Sequence, residues 1–305
     1  MVTLNNISKT YNKGSILAVD KVSFTVGKGE IFGLIGPDGA GKTSIFRVLT
    51  TLLLPDGGNA SVNGFDVVKD YKKIRSTVGY MPGKFSLYQD LTVEENLNFF
   101  ATIFNTTLKE NYELIEEIYV QIEPFKTRRA GQLSGGMKQK LALCCALIHK
   151  PTILFLDEPT TGVDTVSRKE FWEMLKRLKQ QGITILVSTP YMDEAALCEK
   201  IALIQSGKIM SIDTPENIVK QYSDTIYAIK SANIKKLLFD IRAFENTGSC
   251  YAFGEFLHAT FVQNDDNSKT DLLKYLSEKE YSNIELKQIK PTIEDCFIKL
   301  MATSE

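Results

Sequence analysis

Residues 30–49 read EIFGLIGPDGAGKTSIFRVL, and no other stretch limits the possible folds as much. The run from Glu30 to Gly36 is almost continuously apolar and stops at glycine, as a strand buried on both faces of a sheet does. Ile45, Val48, Leu49, Leu52 and Leu53 then recur at helical spacing, which predicts one helix across residues 42–53. Between strand and helix, Gly36, Pro37, Asp38, Gly39, Ala40, Gly41, Lys42 and Thr43 fit the spacing G-x-x-x-x-G-K-[ST]. Glycines at those places let backbone N–H groups curl around a phosphate chain. Lys42 is placed to reach the β- and γ-phosphates, and Thr43 to offer its hydroxyl to Mg²⁺. Ser44 follows in the first helical turn, whose free N–H groups and dipole also draw an anion. The flanking strand and helix separate this pattern from a chance glycine-rich turn.

Strand-like and helix-like segments go on alternating to about residue 220. TILFLD (152–157) reads as a second buried strand. RKEFWEMLKRLKQ reads as an amphipathic helix stopped near Gly182, and it feeds the strand ITILVST (183–189). Such alternation predicts a mainly parallel sheet with helices on its faces. IALIQSGKIMSI predicts a hairpin turning at Ser206–Gly207. Past residue 222 the order changes to strand, helix, hairpin, helix, strand, which is the ferredoxin-like βαββαβ pattern. A last helix starts at Thr292, with Asp295 placed for a capping box. The expected division is therefore residues 1–220 and an α+β domain over residues 222–305.

Two further segments carry chemistry. Asp157 ends a buried strand, where an acid can hold Mg²⁺ opposite Thr43. Glu158 follows it and is the natural general base or water-orienting group. In LSGGM (133–137), Ser134 is a helix cap, and Gly135 and Gly136 expose the helix's first N–H groups, a second anion-binding start. One phosphate cradle does not need another from the same chain, but two related chains would use both.

These pieces, with TTGVD ending at Asp164, stand in the order found in the nucleotide-binding subunits of ATP-binding-cassette (ABC) transporters, which residues 1–220 resemble. FSLYQDLTVEENL (85–97) and PTIEDCFIKLM resemble the drug- and polysaccharide-exporter branch, whose ATPase is separate from its membrane subunit. The resemblance implies an α/β P-loop NTPase of the ABC type, with a mixed-sheet core and a helical subdomain over about residues 84–150. It implies ATP and Mg²⁺ as cofactors, an adenine stacked on Tyr11, and an Asp164 that belongs to the nucleotide site. It also implies a second cassette, identical or not, that closes head to tail so that each ATP lies between one P-loop and the other LSGG. A polytopic membrane permease subunit is the implied partner, with the chain peripheral on the inner face of the membrane.

The chain departs from that family where the nucleotide's own chain meets the γ-phosphate. Pro190 stands in STPYMDEA where the family has a histidine that contacts the γ-phosphate. Gly83 stands after VGYMP where the family has a glutamine that touches Mg²⁺ and water; Gln89 comes six residues too late. Asp38 replaces a common asparagine and adds negative charge near phosphates. The only histidines, His149 and His258, are expected to be structural or exposed. Two readings stay open. The site is slow but active through Glu158, or it clamps ATP while LSGGM completes a competent site on a partner. Both gaps lie on the same face, which favours the second.

Bulk properties exclude other classes. A net charge of −1 is not that of a nucleic-acid-binding polycation. Five cysteines in no metal or disulfide spacing are expected to be free thiols. The N-terminus has no signal-peptide core. The longest apolar stretches fall short of the ~20 residues of a membrane span, so a soluble chain is expected. A ribosome-acting relative would carry two cassettes, and a DNA-repair ATPase a long coiled-coil insertion. A soluble regulator that binds ATP without driving transport is the competing function.

Overall fold

The computed structural model describes residues 1–265 and 267–302; the last three residues of the expected second domain lie outside them. The described residues pack as two compact units, Met1–Ile218 with residues 300–302, and Val219–Lys299.

The first unit opens with β1 (Val2–Tyr11), β2 (Ile16–Val26) and β3 (Ile31–Ile35), then α1 (Lys42–Leu49), β4 (Gly57–Val62), β5 (Phe65–Asp66), α2 (Tyr71–Thr77) and β6 (Val78–Met81). Helices α3 (Val93–Ile103), α4 (Tyr112–Tyr119) and α5 (Gly135–Leu147) follow. The unit then runs through β7 (Ile153–Asp157), α6 (Thr165–Gln180), β8 (Thr184–Thr189), β9 (Lys200–Gln205), β10 (Lys208–Asp213) and α7 (Pro215–Lys220).

The six-stranded sheet has the order β10-β9-β3-β8-β7-β6. All neighbours are parallel except the β9–β10 hairpin. Every residue of β3, β7 and β8 is buried, as the apolar runs require of strands covered on both faces. The register aligns Ile35 with Thr189, Asp157 with Ser188, and Met81 with Leu156. The loops that follow these strands therefore leave from one edge of the sheet, where open α/β folds place ligands.

A separate antiparallel sheet, β2-β1-β4-β5, shares the core with α1 through Val2, Leu4, Phe24, Phe46 and Val62. The helix expected over residues 42–53 is shorter. It ends at Leu49, because Thr51 turns to a left-handed φ of 63°. Leu52 is consequently 56% exposed rather than packed in the helix's apolar face. The hairpin turn at Ser206–Gly207 is present, with positive φ at both residues, as a two-residue type I′ turn needs.

The second unit contains β11 (Ile226–Lys230), α8 (Ile234–Arg242), β12 (Thr247–Phe253), β13 (Phe256–Phe261), α9 (Ser268–Glu278), β14 (Glu285–Ile289) and most of α10 (Ile293–Ala302). Its strands are antiparallel in the order β12-β13-β11-β14. Leu237, Ile241, Leu257, Leu272 and Leu276 form its core. The cap of α10 is reciprocal. The Asp295 amide donates to Thr292 Oγ1 at 3.3 Å, and the Thr292 amide donates to Asp295 Oδ2 at 2.8 Å.

Candidate functional site

The loop from Gly36 to Thr43 leaves β3 and enters α1 without a side-chain cap. Gly36 is still tied to the sheet, its amide donating to Thr189 O at 3.2 Å. Gly41 sits at φ 103°, and a Cβ there would run into the carbonyl of Ala18, so only glycine serves. Asp38 and Gly39 are exposed, Pro37 is half-buried and Ala40 is buried. Lys42 is 3% exposed. Its ammonium donates to Gly36 O at 2.7 Å and Pro37 O at 2.9 Å, and pairs with Glu158 Oε1 at 3.2 Å. Thr43 is half-buried one residue into α1. Tyr11, at the end of β1, meets Ser44 through a 3.0 Å hydroxyl–hydroxyl contact, which fixes the ring beside the first turn of α1.

The acidic pair closes the same cluster. Asp157 is 1% exposed, and its Oδ1 accepts from Ser188 Oγ at 2.6 Å. Burial first, and then the charge of Asp157, pushes the neighbouring Tyr80 phenol up to about 12. Glu158 adopts φ 52°, a left-handed conformation that costs a non-glycine residue ~1–2 kcal/mol. It is held there by its amide, which donates to Ser188 O at 3.0 Å and to Ser188 Oγ at 3.1 Å. Such strain persists only where the surroundings over-determine it, and it clusters at functional sites.

Position 83 faces this pair. A Cβ on Gly83 would lie 3.0 Å from the Asp157 carbonyl oxygen and 3.7 Å from Glu158 Cβ. Gln89 is elsewhere, its carbonyl accepting the Gly131 amide at 2.9 Å. Pro190 directly follows Thr189 at the end of β8. His149 stacks on Phe104 at 3.7 Å, and its Nε2 meets Val78 O at 3.1 Å. Burial lowers its pKa. His258 Nδ1 meets Asp295 Oδ1 at 2.8 Å in the second unit. Both histidines are thus engaged structurally. The cysteines are all buried and in no disulfide, and burial pushes their thiols up.

Ser134 caps α5 by accepting the Met137 amide at 3.3 Å, with Gly135 exposed beside it. Among the described residues, none of the hydrogen bonds or ion pairs of Lys42, Asp157 or Glu158 reaches this helix start. Asp164 caps α6, accepting the amides of Val166 at 3.1 Å and Ser167 at 3.0 Å. The Ser167 amide, and then that residue's hydroxyl, holds the Asp164 carboxyl below its ordinary range. The two helix starts touch, since a Cβ on Gly136 would meet Ser167 Oγ at 2.9 Å.

One residue that sequence reading passed over is Glu194, on the 3₁₀ turn Met192–Leu197. It is 2% exposed. Its carboxylate accepts from Thr160 Oγ1 at 2.8 Å, Thr189 Oγ1 at 2.6 Å, and Arg168 Nε and Nη2 at 3.2 and 3.0 Å. Its partners lie up to 34 residues away, so no local spacing announces it. A separate groove of about 390 Å³ is lined by Tyr80, Met81, Pro82, Leu87, Phe100 and Phe104, among others. Among the described residues, no helix is long and apolar enough to cross a membrane.

A family model described as ABC transporter matches residues 19–161. The probable multidrug ABC transporter ATP-binding protein YbhF of Escherichia coli K12 is 42% identical over 234 residues, 76% of this chain and 40% of YbhF. The chain thus spans about two fifths of YbhF. The Nod factor export ATP-binding protein I of Rhizobium sp. N33 is 32% identical over 311 residues, covering 98% of this chain and 96% of that protein. Among solved structures, the ATP-binding cassette MJ0796, dimeric and bound to ADP and Pi, superposes with a TM-score of 0.64 at 27% identity, covering 70% of this chain and 98% of MJ0796. The cassette fold, the order of its loops and these likenesses agree: the chain belongs to the ABC transporter ATP-binding family.

Proposed function

We propose that this chain is the ATP-binding subunit of an ABC exporter, which drives a polytopic membrane permease by closing on a second cassette over ATP. The observation that carries the reading is the Lys42–Glu158 ion pair at 3.2 Å. It joins the glycine-rich loop to the acidic strand end in one buried cluster. The cluster suits Mg·ATP. It has a backbone cradle, a buried ammonium bonded to loop carbonyls, and the oxygen donors Thr43 and Asp157, the kind Mg²⁺ takes.

Thr43 and Asp157 would hold Mg²⁺, which neutralises charge on the β- and γ-phosphates when bound. Lys42 exchanges the carbonyls of Gly36 and Pro37 for phosphate oxygens. Tyr11 offers its ring to adenine. Glu158 orients water and accepts its proton at the carboxylate. Gly83 and Pro190 bring no hydrogen-bonding side chain to this face, so hydrolysis here is slow. Ser134, Gly135 and Gly136 give their helix start to the γ-phosphate held by the second cassette, with Asp164 beside them. The groove next to Pro82 and Gly83 offers the permease an apolar seat.

On this reading the chain lies on the inner face of the membrane, and the second unit is a ferredoxin-like accessory domain. Its strand order supports that assignment. Expression of the full chain, followed by affinity purification from detergent-solubilised membranes, tests the function. A polytopic membrane protein in stoichiometric amount is the expected result. A chain that binds ATP but brings down no membrane protein would instead be a soluble regulator.

A further inference from the structure

The contacts of Glu194 reach both faces of the first unit. On one side its carboxylate holds Thr189 at 2.6 Å. Thr189 in turn accepts the Tyr191 amide at 3.1 Å, which fixes the loop on either side of Pro190. The residue before Thr189 is Ser188, which supplies both acceptors to the strained Glu158 amide. Glu194 also holds Thr160 at 2.8 Å, two residues beyond Glu158. Glu194 thus holds the Glu158 turn directly at Thr160, and on the strand it holds Thr189, the chain neighbour of the Ser188 that the Glu158 amide bonds.

On the other side Glu194 binds Arg168 in the first turn of α6. The Arg168 guanidinium lies 4.3 Å from the Tyr191 ring centroid, and its Nη2 is 3.4 Å from Asp193 Oδ2. The same helical turn carries Ser167, which fills the space beside Gly136. The carbonyl of Gly162 lies 3.5 Å from where a Cβ on Gly135 would stand. The contacts thus run without a break from the Pro190 loop to the start of α5.

We propose that Glu194 is a positioning residue that ties the Pro190 loop and the Glu158 turn to the start of α6, and through it to the Gly135–Gly136 helix start. It acts through these neighbours. It keeps the face that binds this chain's own ATP in register with the face offered to the second cassette. The proposal rests on the reading of the chain as an ABC ATPase subunit. A carboxylate is needed because a cation and two hydroxyls all donate to it; glutamine replaces one acceptor with a donor and leaves Arg168 only the exposed Asp193 as counter-charge.

Two measurements test this. Hydrogen exchange on the full chain without nucleotide should show the amides of Glu158 and Tyr191 exchanging at least ~10-fold faster in Glu194→Gln. The amides of Ala40 and Ile45 should be unchanged. Steady-state ATPase of the complex purified with its membrane partner should show kcat reduced ~10-fold with the ATP KM within ~2-fold, an effect on the organised site and not on binding. Glu194→Asp should recover part of kcat. Arg168→Ala should reproduce the loss in milder form, and it serves if Glu194→Gln does not fold.

Unchanged exchange at Glu158 and Tyr191 in a folded variant would overturn the proposal, as would an equal change at Ala40. A KM that rises with no change in kcat would do the same. Failure of the wild-type chain to bind ATP would instead overturn the functional reading and leave the exchange result standing by itself.

Discussion

At the strand ends, a buried Lys42 pairs with a half-buried, strained Glu158, next in the chain to the buried Asp157. At the start of α5, Ser134 and Gly135 stand exposed, and among the described residues none of the hydrogen bonds or ion pairs of those three residues reaches them. The first face is organised from within the chain but has glycine and proline at positions 83 and 190. The second is an ordinary capped helix start, with Ser134 holding the Met137 amide. A site whose parts are already paired with one another can bind a ligand by exchanging partners. A free helix start does its work only when something is brought to it. In the proposed reading, holding nucleotide and completing a site fall to different faces, and variants should break each alone.

The largest break is at Lys42. Lys42→Ala removes the ammonium that is to pair with phosphate and leaves Glu158 beside the cradle without a counter-charge. Equilibrium binding of a fluorescent ATP analogue should weaken by at least ~100-fold, as the loss of a buried charge-assisted contact implies. Near wild-type affinity in this variant would mean that residues 36–43 are not the phosphate site.

Turnover is the next test, because it asks which face carries the flux. Ser134→Arg places bulk and charge at the start of α5 and should reduce ATPase of the intact complex by ~100-fold, the scale on which lost transition-state contacts act. Glu158→Gln should cost less than half of the activity if the Gly83 and Pro190 face turns over slowly. The reverse result, a dead Glu158→Gln beside an active Ser134→Arg, would replace the asymmetric picture with two equal, slow sites.

How much of this could be read beforehand depended on whether the pattern was local. Gly36–Thr43, Asp157–Glu158 and Ser134–Gly136 each sit at a junction of strand and helix, and a junction is visible in a short window. The antiparallel sheet of β1 and β2 was legible only in part: VSFTV (22–26) alternates as a half-buried strand and is the end of β2, while β1 and the start of β2 give no such signal. Its strands bulge at Asn6 and Lys21, both at positive φ, with register shifts between Leu4 and Ile7. Bulges break the two-residue alternation by which a strand is read. Leu52 kept helical spacing past a helix that had already ended at Leu49. Glu194 draws its partners from β8, from the turn after β7 and from α6, which only the fold brings together.

A smaller effect is expected at Tyr11. Its hydroxyl contact with Ser44 fixes the ring, and Tyr11→Ala removes a stacking surface worth about 1–3 kcal/mol on the scale of base–aromatic stacking. Tyr11→Phe should retain most of the affinity, which separates the ring from the hydroxyl. Equal losses in the two variants, measured with the same ATP analogue, would assign the effect to the Ser44 contact and not to stacking.

Asp164 offers a test by pH on the outward face. Its carboxyl is held below the ordinary aspartate range by the amide and hydroxyl of Ser167 and the amide of Val166. A depressed folded-state pKa means that the cap's contribution is complete above the unfolded value. It is lost as pH falls through the folded one. Resonances of the first turn of α6 should therefore titrate below the ordinary aspartate value, and Asp164→Asn should remove that titration while keeping the cap. A normal pKa at Asp164 would show that this helix start is not formed as described.

The smallest expected change is a gain. Gly83→Gln with Pro190→His restores the two side chains that the resemblance places on the inward face, and it should raise turnover in the Ser134→Arg complex by a few-fold. The limit is set by space. A Cβ at residue 83 falls 3.0 Å from the Asp157 carbonyl oxygen, which is backbone and can yield only by moving the strand end. Overpacking of this kind costs about 1–3 kcal/mol, and the strand end that must move carries Asp157 and the strained Glu158. Gly83→Ala isolates that cost, and its melting temperature should fall while ATP affinity holds. The double variant should then gain activity only beyond what Gly83→Ala loses. A double variant that is folded, binds ATP and is no faster than Gly83→Ala would show that the inward face is slow for a reason other than its two missing side chains.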